Sequence, residues 1–101
     1  MRSDDMYVMK SKGAKDIEAF ACTELSARGW MPGIAGWADN YISEDPEHYV
    51  LCIACQHSTC TDEPSLDIEI PFSRTAIANY EQGIDVDVIK AKITRYILAQ
   101  T

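Results

Sequence analysis

Leu66, Ile68, Ile70 and Phe72 alternate with Asp67, Glu69 and Pro71. That period of two reads as a strand with one apolar face and one wet, acidic face. Pro71 lacks a ladder donor and therefore marks the end of this strand or an edge position. A half-apolar strand needs neighbours. Tyr49 to Cys55 is a nearly continuous apolar run of strand length, and Trp37 to Ile42 is a second candidate. The polar, proline-containing turn Ser43-Glu-Asp-Pro-Glu47 joins the two as a hairpin. Met6 to Met9 is a further short candidate strand. Trp30 to Gly36, with Pro32 and two glycines, reads as a loop.

Helices supply the layer that covers the apolar face. From Ala14 to Arg28, Ile17, Phe20, Ala21 and Leu25 share one helical face, and Gly29 stands where a helix ends. Ser73 caps a short helix to about Tyr80, and Gly83 breaks it. Asp85 is the expected N-cap of a final helix lined by Val86, Ile89, Ile93, Tyr96 and Ile97. Lys90, Lys92 and Arg95 follow Asp87 in the sense the helix dipole favours. The expected fold is one α+β domain over residues 1–101: an antiparallel sheet of three to four strands, in the order (β)αβββαα, packed on one face by the N- and C-terminal helices. A chain of 101 residues buries roughly two-thirds of its unfolded surface and needs no disulfide or metal to fold.

The αβββα order resembles the topology of double-stranded RNA-binding domains. Those domains hold phosphates with lysines at the start of the last helix, where this chain reads Gly83-Ile-Asp-Val-Asp87. Sixteen acids against nine bases give a net charge of −7, which argues against direct nucleic-acid binding. No apolar run is long enough for a membrane span, and the acidic N-terminus does not read as a secretory signal. The chain is expected to be cytoplasmic, with thiols rather than disulfides. No phosphate-cradling glycine motif is present.

The negative charge is concentrated. Between Gly29 and Ile89 stand eleven acids and one base, Arg74. Asp67 and Glu69, on the wet face of their strand, with Asp62 and Glu63 in the preceding turn, form a surface that attracts a protein partner with a basic surface. Trp37 and Tyr41 are candidate anchors at its rim, and Trp30 after the first helix is a third aromatic there; packing over the end of the small core is the competing and favoured role for both tryptophans. This pattern predicts a small acidic interaction protein without catalytic function. Its sharpest form is an inhibitor occupying a nucleic-acid-binding groove by DNA mimicry, and its plainest is a solvated sheet face.

The alternative is a metal- or thiol-dependent protein. Cys52, Cys55, His57 and Cys60 place three thiols and an imidazole within nine residues, a ligand set suited to zinc. The spacing lacks the second, distant ligand pair of structural zinc sites. In a regular strand Cys52 and Cys55 also point to opposite faces. Buried packing is the competing role for these cysteines and for Cys22. The expected cofactor set is therefore none, with zinc as the alternative. The oligomeric state is open.

Overall fold

A computed structural model describes residues 9–39, 47–57 and 66–101. The order is α1 (Lys12–Ala27), β1 (Trp30–Asp39), β2 (Tyr49–His57), β3 (Leu66–Phe72), α2 (Arg74–Glu81) and α3 (Val86–Gln100). The three strands form one open antiparallel sheet in the order β1-β2-β3, with helices before and after it. The fold is the small α+β arrangement expected from the sequence.

Ser11 starts α1, its hydroxyl oxygen accepting a hydrogen bond from the Ala14 N–H at 3.2 Å. The buried positions Ala14, Ile17, Ala21 and Leu25 recur at helical spacing and lie on the sheet. At the far end Gly29 adopts φ 87°, the left-handed conformation that ends a helix without steric cost. Ser73 caps α2 as expected, accepting from the Ala76 N–H at 3.0 Å.

Three expectations are corrected. Trp30 to Gly36 is not a loop, because β1 begins at Trp30 and pairs with β2 along its length. One extra residue between Pro32 and Ala35 bulges the strand and absorbs the proline and Gly33 without ending the ladder. Met9 is helical and packs on the core; so short an apolar run cannot distinguish strand from helix by period. The rest of that candidate strand lies outside the described residues, as do residues 40–46. Asp85 does precede α3, but with φ 53° and no side-chain cap bond. The chain turns from α2 to α3 through the left-handed residues Gly83 and Asp85, so the Asp85 carboxylate does not reach the first N–H groups. Its backbone carbonyl accepts from Ile89 instead, at 3.0 Å.

In β2, Tyr49, Leu51, Ile53 and Cys55 are buried, as are Ile68, Ile70 and Phe72 in β3. Ile77 of α2 and Ile89, Ile93 and Ile97 of α3 complete the core with the buried face of α1. Pro71 opposes Val50 and shares its parity with Glu69, so its missing N–H falls on the outer edge of the sheet and costs β2 no bond. Lys92 of α3 lies 5.0 Å from the Phe72 ring centroid and 5.7 Å from that of Tyr96. It also pairs with Glu47, tying the last helix to the segment that enters β2.

Candidate interaction surface

The three described helices pack on one face of the sheet, and no described element packs on the other. Register places Met31, Gly36 and Ala38 of β1, Val50, Cys52, Ala54 and Gln56 of β2, and three residues of β3 on this open face. Gly36, Cys52 and Glu69 form one cross-strand row, and Ala38, Val50 and Pro71 form the next. Ala54 stands opposite Asp67. The two carboxylates are exposed. As alternate residues of one strand they lie about 6.6–6.8 Å apart along it. Beside them the small residues of β1 and β2 leave a trough of about 560 Å³, with Ile34 at its margin. Ile34 is 84% exposed and Met31, also on β1, 45%.

Gly36 stands in the middle of β1, and a Cβ built on it meets no atom within 4 Å. Gly33 differs, because a Cβ there would meet the Ala54 carbonyl oxygen at 3.2 Å. The β3 edge is closed at its centre. Gln100, the last residue of α3, accepts from the Glu69 N–H through Oε1 at 3.0 Å and donates to the Glu69 carbonyl through Nε2 at 2.8 Å. Its amide thereby occupies both hydrogen-bonding groups that a neighbouring strand would use.

The sequence-derived candidates divide between the two faces. Asp67 and Glu69 are on the open face as expected. Trp37 is on the core face, opposite Leu51, and its ring packs on Phe72 with centroids 5.5 Å apart. It is therefore not brought together with the two acids. Its indole Nε1–H is buried without a hydrogen bond of normal geometry, although the Glu18 carboxylate of α1 feels it. Burial holds the Glu18 carboxyl above the usual carboxylate range, opposed first by Lys15 and then by that indole. Trp30 also packs on the core and meets His57 edge to face, with centroids 5.1 Å apart. Tyr41, Asp62, Glu63 and Cys60 lie outside the described residues.

The cysteines are separated in the same way. Cys52 belongs to the open face. Cys55 is buried in the core, with Sγ 3.4 Å from the Leu66 carbonyl oxygen. One strand thus directs the two thiols away from each other, and among the described residues no three His, Cys, Asp or Glu side chains gather as a metal site. Burial raises both thiols above the usual cysteine range. Glu69 and then Asp67 add to the shift at Cys52, and Asp67 adds to it at Cys55. Cys22 is raised by burial and by Glu18. At neutral pH these thiols are protonated, whereas nucleophilic attack needs the thiolate.

The small-residue floor formed by Gly36, Ala38 and Ala54 is the part of the surface that sequence reasoning missed. Its signal was the near-continuous apolar run of β2, since a strand wet on one face alternates and one covered on both faces does not. No family model matches the chain, and no curated protein or solved structure is significantly similar to it. No described helix is long and apolar enough to cross a membrane.

Proposed function

We propose that this chain is a small cytoplasmic, non-enzymatic interaction protein that binds a protein with a basic surface through the open face of its sheet. One observation carries the reading: β2 is apolar on both faces, and the described helices cover only one. Val50, Cys52 and Ala54 alternate with Tyr49, Leu51, Ile53 and Cys55, so the open side has the composition of a buried layer. Asp67 and Glu69 border that layer and supply charge selectivity, favouring cationic partners and repelling nucleic acid. Occupation of a basic nucleic-acid-binding groove is a narrower form of the same reading, and it rests on charge alone.

The test is capture of the partner by the tagged chain and by the Asp67→Lys/Glu69→Lys double variant, over a salt series. Two charge pairs at about 1 kcal/mol each give an expected loss of at least about tenfold in affinity. The wild-type complex should also weaken steadily with salt. A complex indifferent to both the reversal and salt contradicts the proposal.

A further inference from the structure

We infer that the occupant of the open face is an amphipathic α-helix carrying Lys or Arg four residues apart, laid along β1 and β2 with those cations over Asp67 and Glu69. The inference rests on the proposed function and specifies the form of the partner.

The face selects a helix through its backbone chemistry. Strand N–H and C=O groups lie in the plane of a sheet, so a segment resting on the face gains no hydrogen bond from it. An extended peptide there would bury its own polar backbone unsatisfied, whereas a helix pairs its backbone internally. The extended alternative is addition at an edge, and both edges oppose it. Gln100 closes β3 at Glu69, and Pro32 with the adjacent bulge interrupts β1.

The floor also suits a helix. Gly36 is not in a left-handed conformation and nothing crowds its missing Cβ, so the fold itself does not require glycine there. A glycine inside a strand is at home where another backbone approaches closely. Ala38, Ala54 and Cys52 keep the surrounding surface low. The charges match in spacing as well, since helix positions four apart are separated by about 6 Å along the axis, close to the separation of Asp67 and Glu69. Among its described residues the face carries no cation. A second copy packed face to face would therefore bring no complementary charge.

The test uses the full-length chain labelled with 15N and two synthetic peptides of equal length and net charge. One repeats Leu and Ala at helical period with Lys pairs four apart; the other alternates Val and Lys. The helical peptide is expected to shift the backbone amides of Gly36, Ala38, Cys52, Ala54 and Asp67 and to gain helicity on binding. Its affinity should fall at least tenfold with Gly36→Val, which fills the floor, and with Asp67→Lys, each variant first shown to be folded by its own spectrum. Tighter binding of the alternating peptide, strengthened by Gln100→Ala, would overturn the helix and leave the basic-partner reading standing. Concentration-dependent shifts of the same amides without peptide would replace the helix with a second copy. If neither peptide shifts these amides, the inference is wrong, and the charge-reversal capture decides the broader reading separately.

Discussion

Replacing Gly13 by alanine is expected to lower the melting temperature by roughly 10 °C, although alanine is the better helix former. Gly13 is buried near the start of α1. A Cβ there would stand 2.4 Å from the Ile77 carbonyl oxygen and 3.0 Å from the Glu81 Cβ. The obstructing atom at 2.4 Å is backbone of α2, so it cannot swing aside as a flexible side chain would. Relief requires the two helices to separate, and overpacking of this kind costs about 1–3 kcal/mol. The intrinsic preference for alanine returns at most about 1 kcal/mol. With the overpacking cost at the upper end of its range, because backbone must move, the net loss is about 2 kcal/mol, which corresponds to the stated shift for a domain of this length. Gly36→Ala is the matched control: space is open around it, and its melting temperature should hold or rise. An unchanged or higher melting temperature for Gly13→Ala would show that α1 does not seat on the α2 backbone.

Phe72→Ala should cost more, about 3–5 kcal/mol by urea denaturation, as expected for a fully buried aromatic. Phe72 is completely buried and lies opposite Tyr49 in the sheet. Its ring supports Trp37 on one side and the Lys92 ammonium on another. Truncation opens a cavity at the point where β1, β3 and α3 meet. Against a typical total stability of about 5–15 kcal/mol, that loss leaves a marginal fold. Val88 and Leu98 of α3 are 68% and 55% exposed; alanine at either should change stability by no more than about 0.5 kcal/mol. A Phe72→Ala loss equally small would contradict the described core.

The elements with a single clear period were legible in the sequence. Leu66 to Phe72 alternates without exception, and β3 has those same bounds. Ile17, Ala21 and Leu25 fix the buried face of α1 in the same way. Trp30 to Gly36 was not legible, because its proline and glycines are turn residues by local preference. The ladder with β2 and a one-residue bulge override that preference, and pairing of that kind is non-local. Asp85 misled for a related reason: its residue type suits an N-cap, but the left-handed turn that begins at Gly83 sets its direction.

The candidate surface was half legible. Asp67 and Glu69 follow from parity alone, as does the separation of Cys52 from Cys55. That Trp37 faces the core depends on the phase of β1, and the bulge after Pro32 sets that phase relative to β2. The Gln100 clamp on Glu69 joins residues 31 positions apart, and no local pattern announces it.

The proposed partner sits on the open face of the sheet. Hydrogen exchange of the chain with and without its captured partner tests it most directly, read beside the side-chain footprint of the same complex. Added protection is expected along β1 and β2 at Gly36, Ala38, Cys52 and Ala54, with loss of side-chain labelling at Ile34 and Met31 and unchanged α1 and α3. Protection confined to the helices, with Ile34 and Met31 labelled as in the unbound chain, would contradict it.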